Sequence, residues 1–269
     1  MSLVVCPTPI GNLGDVTLRV LSALRDADLI ACEDTRRTRT LLDRYGVSSP
    51  LVSYHEHNEE QRAAELVARM QEGDTVALVS DAGMPLVSDP GYVLVRACVA
   101  AGIGVEVLPG PSAAIAALVA SALPADRWRF AGFLPRKKGE LSKVLAEGGG
   151  TLVAFESPRR LPGTLALLAE LDGHRQAAVC RELTKVHEEV VRGSAAELAE
   201  RYANRPPKGE VVLVLGPSEA GRGVEGAEPA GLAQLRRLVD AGAKPRPAAT
   251  AVAELTGGSA NALYKALTE

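Results

Sequence analysis

The sequence predicts an α/β protein that consists of two α/β domains and a small helical domain. In the first part of the chain, short apolar strands alternate regularly with helices, as is typical of a mainly parallel sheet with right-handed crossovers. From Trp128 onward, strands follow one another with few long helices between them, which favours a mixed or antiparallel sheet with helices on one side. We expect the domains at residues 1–124 and 125–217, a linker rich in glycine and glutamate at 218–230, and a helical tail at 231–269.

Each predicted strand of the first domain is a short apolar run that ends in a polar loop. The predicted strands are residues 3–6, 28–32, 76–79 and 104–108, and the helices begin near Leu18, Thr38, Glu59, Tyr92 and Ala114. Since the carboxyl ends of parallel strands meet at one edge of a sheet, the loops that follow these strands are expected to lie together. Ligands of open α/β sheets bind at this edge.

The second domain and the tail show weaker patterns. The predicted strands are residues 129–134, 151–155, 177–180 and 210–215, and the predicted tail helices are residues 232–239, 248–255 and 260–267. The basic segment from Pro135 to Gly139 indicates either a mobile arm that faces substrate or an ordinary exposed loop. In the tail, a turn at residues 256–258 and Ser259 as an N-cap are typical of a helix-turn-helix.

The composition excludes bulk attraction to nucleic acid. The formal net charge is −3, so any phosphate-binding surface must be local, and aromatic residues make up only 3%, so base stacking is not expected as the main mode of nucleic-acid contact. Four widely spaced cysteines in or beside apolar runs indicate buried thiols in a reduced compartment. With neither a signal peptide nor an apolar run near the roughly 18 residues that cross a bilayer, we expect a cytoplasmic protein without membrane contact.

Polar turns follow at least five of the strands, and they come from both halves of the chain. The richest is residues 80–91, which holds two Ser-Asp pairs separated by glycine and proline. No Walker loop and no Gly-x-Ser-x-Gly elbow explains these turns. His55 and His57 stand two residues apart without a third ligand nearby, so no metal site is predicted. The pattern favours a ligand that binds between two domains.

Eight segments, taken in order, resemble one protein family. They are PTPIGNLGD, IACEDTRRT, VALVSDAGMPLVSDPG, LPGPSA, FAGFLPRKKG, FESPRR, RELTKVHEE and KGEVVLVLG. In this order and spacing they closely resemble the ribosomal RNA small-subunit methyltransferase I family of the tetrapyrrole methylase superfamily, and NALYKAL resembles the end of that family's helical domain. The resemblance covers nearly the whole chain. It implies two α/β domains of the tetrapyrrole methylase type, a homodimer, and S-adenosylmethionine bound in the cleft between the domains.

The resemblance also implies the reaction. Members of the family transfer a methyl group from S-adenosylmethionine to the ribose 2'-hydroxyl of a cytidine in the decoding region of 16S ribosomal RNA, so the expected partner is 16S rRNA or the small ribosomal subunit. Two rivals are methylation of another acceptor, such as a tetrapyrrole of the precorrin or uroporphyrinogen type, and a ribosome-binding module that has lost catalysis. Binding of S-adenosylmethionine would separate the second rival from an enzyme.

Family resemblance places the cofactor on glycine- and proline-rich loops of both domains. The implied cofactor residues are Pro9, Ser80, Asp81, Ala82, Gly83, Pro85, Val87, Ser88, Pro111, Ser112, Leu183 and Gly209. Glycine and proline let the backbone approach a ligand and fix its path, and backbone amides and serine hydroxyls can hold a carboxylate. Asp89, Pro90 and Gly91 are expected to begin the next helix.

The acceptor side is expected to use charged residues that cluster at strand ends. Candidate catalytic residues are Asp34, Glu182 and Lys185, with Asn12 to orient the nucleotide, although each charged candidate could equally form a structural ion pair. Candidate RNA-binding residues are Arg36, Arg37, Arg136, Lys137, Lys138, Arg159 and Arg160. The segment FESPRR departs from the family pattern, which often has Thr-His before the final arginine, and this leaves the role of Arg159 open.

Overall fold

The computed structural model describes residues 2–218, 231–256 and 259–268. The chain forms two compact units, Met1–Pro217 and Ser218–Glu269. The first unit contains two five-stranded sheets, so the domain boundary expected after residue 124 falls inside it and stays a prediction. Within the described ranges, no helix is both long enough and apolar enough to cross a membrane.

The first sheet is entirely parallel, as the regular alternation of strands and helices predicts. Its strands are β1 (Ser2–Val5), β2 (Leu29–Cys32), β3 (Leu51–Ser53), β4 (Thr75–Val79) and β5 (Val105–Val107), in the order β3-β2-β4-β1-β5. Helices follow the strands: α1 (Leu18–Asp26), α2 (Thr35–Arg44), α3 (Glu59–Gln71), α4 (Tyr92–Ala100) and α5 (Ala113–Ser121). Helices α1 and α2 cover one face of the sheet and α3 and α4 the other, which accounts for strands that are apolar on both sides.

Helix α2 begins three residues earlier than the sequence pattern suggests. Its N-cap is Asp34, whose Oδ1 accepts a hydrogen bond of 2.8 Å from the Arg36 amide. Aspartate is a favoured N-cap because its carboxylate satisfies amides that lack a helical partner. Helix α4 begins at Tyr92 as predicted, with Gly91 as its N-cap, whereas Asp89 and Pro90 lie in the loop before it.

The second sheet is mixed, as predicted. Its strands are β6 (Trp128–Phe133), β7 (Thr151–Glu156), β8 (Gln176–Arg181), β9 (Glu189–Ser194) and β10 (Val211–Leu215), in the order β6-β7-β10-β8-β9. Only the β6–β7 pair is parallel, and the other three pairs are antiparallel. The expectation of few long helices is wrong, because α6 (Lys138–Ala146), α7 (Leu161–Asp172) and α8 (Ala195–Tyr202) lie between these strands.

The two faces of the second sheet are covered by helices from different parts of the chain. Alternate residues of β10 point to opposite faces. Leu213 packs with residues of α6, α7 and α8, whereas Val212 and Val214 pack with Ala114, Ala117 and other residues of α5. The helices of residues 125–217 therefore lie on one side, as expected, but a helix that follows the first sheet supplies the other side.

The C-terminal unit is a small group of helices. Its described elements are α9 (Leu232–Asp240), α10 (Pro245–Thr256) and α11 (Ala260–Thr268), which share a core that includes Leu235, Val252 and Leu263. The Ala262 amide donates to Ser259 Oγ at 3.4 Å, as an N-cap residue requires. The turn glycines Gly257 and Gly258 and the linker residues 219–230 lie outside the described residues.

Candidate functional site

Two loops follow neighbouring strands of the parallel sheet. We call residues 7–15 the β1 loop and residues 80–91 the β4 loop. Strands β1 and β4 are adjacent, but the chain leaves β1 toward β2 and leaves β4 toward β5, on opposite sides of the pair. A crevice forms where the strand order reverses in this way, and ligands of open α/β sheets bind there. The β1 loop and the β4 loop therefore meet at the position where a ligand is expected.

A short backbone bridge joins these loops. The Thr8 amide donates to the Gly83 carbonyl at 2.8 Å, and the Gly83 amide donates to the Thr8 carbonyl at 3.0 Å. Ser80 Oγ donates to the Gly83 carbonyl at 3.2 Å, and Thr8 Oγ1 donates to the Ser80 carbonyl at 3.0 Å. Gly83 has a φ of 84°, and a Cβ on it would lie 3.7 Å from the Pro111 carbonyl oxygen. Ser80 and Gly83 thus shape the β4 loop from within.

The carboxylates next to the β4 loop are bound to arginines. Asp81 Oδ1 accepts from the Asp34 amide at 3.0 Å, and its Oδ2 lies 3.4 Å from Arg37 Nη1. The Asp34 carboxylate is bound by the Arg36 guanidinium at 2.8 Å. Hydrogen bonds from the Arg36 side chain and from backbone amides lower the pKa of Asp34 to about 2. A carboxylate with so low a pKa is a weak proton acceptor at neutral pH, so the structure disfavours Asp34 as a general base.

Residues 182–188, which we call the β8 loop, form a second charged group at the edge of the mixed sheet. Lys185 Nζ lies 2.9 Å from Glu182 Oε1 and 2.9 Å from Glu210 Oε2. The Glu210 amide and the Lys185 ammonium lower the pKa of Glu182. Burial lowers the pKa of Lys185, but its hydrogen bonds to Glu210 and Glu182 outweigh that effect and raise it overall. At neutral pH this trio holds a fixed cation between two carboxylates.

The β8 loop is fastened to the β1 loop. The Asn12 amide donates to Thr184 Oγ1 at 3.0 Å, and a Cβ on Gly11 would lie only 2.8 Å from that oxygen. The Asn12 side chain itself accepts from the Gly14 amide at 3.0 Å, so its carboxamide oxygen serves the loop. The loop that follows β1 in the parallel sheet and the loop that follows β8 in the mixed sheet are thus in contact within the first unit.

Backbone conformations confirm that this region is under constraint. Within the described chain, five non-glycine residues have a positive φ, and four of them lie in the β4 and β8 loops: Leu86, Ser88, Glu182 and Thr184. A left-handed conformation costs a non-glycine residue about 1 to 3 kcal/mol and concentrates at functional sites.

A cavity of about 330 Å³ lies between the β4 loop and the edge of the mixed sheet. It is lined by Ala82, Val87, Ser88, Asp89, Phe133, Phe155, Glu156, Ser157, Pro158, Gly209, Glu210, Val211 and Val212. Four of the implied cofactor residues line it directly: Ala82, Val87, Ser88 and Gly209. Small-molecule sites have volumes of roughly 300 to 1,000 Å³ and combine apolar walls with a few polar groups.

The other implied cofactor residues do not line this cavity. They are Pro9, Ser80, Asp81, Gly83, Pro85, Pro111, Ser112 and Leu183. Ser112 is the N-cap of α5, and its Oγ accepts from the Ile115 amide at 3.5 Å. Leu183 is 8% exposed and packs with Ile10 in the core that α5 forms with the mixed sheet. Their assignment to a cofactor stays a prediction.

Asp89, a carboxylate of the β4 loop, lines the cavity. Burial raises the pKa of Asp89 to about 6, and the nearby Glu33 carboxylate adds to this shift. The other cavity carboxylates have cationic partners, since Glu210 pairs with Lys185 and Glu156 lies 3.4 Å from an arginine. Asp89 has no described cationic partner, and its protonation therefore changes at pH values near 6. The sequence signal for this role is the position of Asp89 in the polar loop that follows β4.

The basic residues expected to bind RNA fall into two groups. Arg136 and Arg159 are exposed and form no ion pair with any described residue. Lys137 and Lys138 are paired with Glu140 at 3.3 Å and Glu170 at 3.9 Å, and Lys138 belongs to α6 rather than to a loop.

Arg160 differs from the expectation of a free phosphate-binding residue. Its Nη2 donates to the carbonyls of Leu134 at 3.0 Å and Pro135 at 2.6 Å, and it lies 3.4 Å from Glu156 Oε2. Glu156 is buried and needs a cation, while the two carbonyls need donors. Arg160 therefore fastens the end of β6 to the end of β7.

Comparison with known proteins identifies the family. The family of tetrapyrrole (corrin/porphyrin) methylases matches residues 2–199. A protein of Mesorhizobium japonicum named ribosomal RNA small subunit methyltransferase I is 49% identical over 100% of this chain and 92% of its own length. A protein of the same name from Escherichia coli O157:H7 is 45% identical, over 98% of this chain and 93% of its own length. The chain belongs to this methyltransferase I family of tetrapyrrole methylases. Membership confirms the expected methyltransferase that uses S-adenosylmethionine.

Solved structures agree with this family at the level of the fold. A diphthine synthase has a TM-score of 0.59 at 16% identity, over 80% of this chain and 90% of that one. A uroporphyrin-III C-methyltransferase from Thermus thermophilus, solved with S-adenosylhomocysteine, has a TM-score of 0.56 at 20% identity, over 82% of this chain and 99% of that one. At these identities the likeness concerns the fold alone, and it confirms the α/β architecture predicted for the first unit.

Proposed function

We propose that this protein methylates the ribose 2'-hydroxyl of a cytidine in the decoding region of 16S ribosomal RNA, with S-adenosylmethionine as the methyl donor. The observation that carries the proposal is identity of 45% to 49% with relatives named ribosomal RNA small subunit methyltransferase I over almost the full length of both chains. The solved uroporphyrin-III C-methyltransferase is only 20% identical to this chain, so its likeness concerns the fold and does not favour a tetrapyrrole acceptor over RNA.

The residues of the cavity suit the proposed cofactor. Val87, Phe155 and Val211 offer apolar surface for an adenine ring, and the Ser88 hydroxyl and the backbone at Gly209 offer polar contacts. Gly209 has a φ of 88°, and a Cβ there would overlap the Glu182 carboxylate, so the chain keeps this wall free of a side chain. When bound, S-adenosylmethionine supplies a methyl group activated by the sulfonium. The cavity walls contribute by orienting the reactants.

Two groups can assist the loss of the proton from the ribose hydroxyl, one by accepting it and one by stabilising the negative charge on the oxygen. Asp89 is a cavity carboxylate without a described cationic partner, and its raised pKa makes it a better proton acceptor than Asp34 or Glu182. Lys185 remains protonated between Glu182 and Glu210, so it can stabilise negative charge that develops on the ribose oxygen. We assign proton uptake to Asp89 and charge stabilisation to Lys185 within this proposal.

Recognition of the RNA is assigned to the exposed arginines beside the cavity. Arg136 and Arg159 can bind phosphates, because neither is neutralised by a described carboxylate. We include in the proposal that the enzyme is cytoplasmic, as the sequence pattern predicts, and that it acts as a homodimer, as the family resemblance implies. Light scattering of the purified protein checks the dimer.

The test uses purified protein, labelled S-adenosylmethionine and small ribosomal subunits from cells that lack this activity. Label is expected in 2'-O-methylcytidine after digestion of the RNA to nucleosides, and calorimetry should show binding of the methyl donor. The variant Asp89→Asn should bind S-adenosylmethionine but transfer methyl groups more slowly. Label in a tetrapyrrole with none in RNA would show that the proposal is wrong, and absence of donor binding would point to a module without catalysis.

A further inference from the structure

All three phenylalanines of the chain lie in one cluster beside the cavity. The ring centroid of Phe155 is 4.9 Å from that of Phe130 and 5.4 Å from that of Phe133, and both pairs are edge-to-face. Phe130 and Phe155 pack against the core between α5 and the mixed sheet. Phe133 is different, because 65% of its surface is exposed although it lines the cavity.

A β-bulge puts Phe133 in this position. Phe130 lies opposite Val153 and Phe133 lies opposite Phe155, so three steps along β6 match two steps along β7. Residues three apart in a regular strand point to opposite faces. The extra residue returns Phe133 to the face that carries Phe130, and Gly132 supports the bulge with a φ of 64°. The strand is therefore shaped to present an aromatic ring at the cavity instead of turning it away.

The surroundings of Phe133 are suited to a nucleotide. A Cβ on Gly132 would lie 3.6 Å from Ser88 Oγ, so the ring stands next to the β4 loop. Arg160 binds the carbonyls of Leu134 and Pro135, and this contact places the turn that carries Arg159 beside the segment that leads to Arg136. The exposed ring thus lies near two segments that carry exposed arginines, and arginines can bind phosphate.

We propose that Phe133 is a stacking platform for an unpaired nucleobase of the RNA substrate, at the mouth of the methyl-transfer cavity. This inference rests on the proposed function and assigns a residue to its substrate side. An exposed aromatic face stacks on any base, while nearby arginines hold the backbone, as is typical of proteins that bind single-stranded segments of RNA. With aromatic residues at only 3% of the chain, one platform positions a base, and phosphate contacts supply the rest of the binding.

The test compares Phe133→Ala, Phe133→Trp and a matched control, Trp128→Ala. Trp128 is also aromatic and 39% exposed, but it lies at the opposite end of β6, roughly 16 Å away at the usual rise per residue. Affinity for small subunits that lack the modification, affinity for S-adenosylmethionine and oligomeric state are measured for each variant. We expect Phe133→Ala to weaken RNA binding by about five- to a hundredfold, which is the effect of losing one stacked base, and Phe133→Trp to restore it. The affinity of the Phe133 variants for S-adenosylmethionine should match that of the wild type. Trp128→Ala should bind RNA as tightly as the wild type.

Three outcomes would overturn the inference while the proposed function stands. They are RNA affinity that Phe133→Ala leaves unchanged, a loss confined to S-adenosylmethionine affinity, which would make Phe133 part of the cofactor site, and a change of oligomeric state, which would make it a subunit contact. If the wild-type protein methylates no ribosomal RNA, the proposed function fails and this inference fails with it.

Discussion

The β4 loop and the β8 loop lie on two sides of the candidate site, and each holds two non-glycine residues in the left-handed conformation. Their carboxylates are treated in opposite ways. Burial raises the pKa of Asp89 in the β4 loop to about 6, whereas the Glu210 amide and the Lys185 ammonium lower the pKa of Glu182 in the β8 loop. The two loops therefore have similar backbone strain but different carboxylates: Asp89 can exchange a proton near pH 6, whereas Glu182 stays charged.

The largest expected effect comes from crowding the β8 loop. Gly209→Ala forces a residue with a side chain to a φ of 88° and pushes its Cβ into Glu182, so we expect a loss of about 2 to 4 kcal/mol in the free energy of unfolding and nearly complete loss of methyl transfer. Urea denaturation and transfer assays measure these changes. Gly163→Ala is the control, because Gly163 lies in α7 and a Cβ there would meet no atom within 4 Å apart from its own helix backbone. This variant should raise the free energy of unfolding by roughly 0.5 to 1 kcal/mol. Equal stability of both variants would show that the β8 loop is not constrained.

The next effect tests the contrast between the carboxylates through pH. The pKa of Asp89 is higher in the folded protein than the usual 3.8, so its contribution to stability is present below pH 3.8 and is lost as pH rises toward about 6. Asp89→Asn should therefore gain stability relative to wild type over that window, by up to about 3 kcal/mol.

Glu182→Gln should behave in the opposite way. The pKa of Glu182 is lowered in the folded protein, so its contribution is present above the usual value of 4.5 and is lost as pH falls below it. This variant should be less stable than wild type at pH 7, by roughly 1.5 to 3 kcal/mol for charged hydrogen bonds, with a gap that narrows in acid. Unfolding midpoints in urea between pH 3 and pH 8 measure both variants, and slopes of the same sign would contradict the contrast.

The smallest effect concerns the arginines on the two sides of the site. Arg136 and Arg159 are free of described carboxylates, whereas Arg36 is bound to Asp34 and Arg37 to Asp81. The double variant Arg136→Ala with Arg159→Ala should reduce the slope of log binding constant against log salt by about 1.4 for single-stranded RNA. Arg36→Ala with Arg37→Ala should leave that slope nearly unchanged. A larger change from the second pair would place the RNA on the side of the parallel sheet.

The general location of the site could be predicted from the sequence. The run from Val76 to Val79 is apolar at every position because β4 is covered on both faces. Such a run is typical of a strand inside a parallel sheet, and the polar loop that follows it marks the edge of the sheet where ligands bind. Polar turns after β1, β4, β7 and β8 were therefore expected to meet, and they do. The start of α8 also has a local sequence signal, since Ser194 and Glu197 form a capping box.

Other features depend on tertiary contacts that leave no local signal. Thr184 forms a hydrogen bond with Asn12, which is 172 residues away in the sequence. The residues next to Thr184 in the sequence do not predict its left-handed backbone conformation. The bulge that turns Phe133 toward the cavity adds one residue to an otherwise ordinary strand. Helix α7, which the expectation of few long helices left out, has Pro162 and Gly163 in its first turn, where proline is well tolerated.

Helix α5 has a consequence for how the chain can be divided. It follows the last strand of the parallel sheet, yet Ala114, Ala117 and Leu118 form a core with Val153 and Val212 of the mixed sheet. A fragment that begins at residue 125 would leave that face of its sheet bare to water. A chimera that combines the two sheets of different relatives should therefore be joined before Ala113, so that the mixed sheet keeps the helix α5 that precedes it in the sequence.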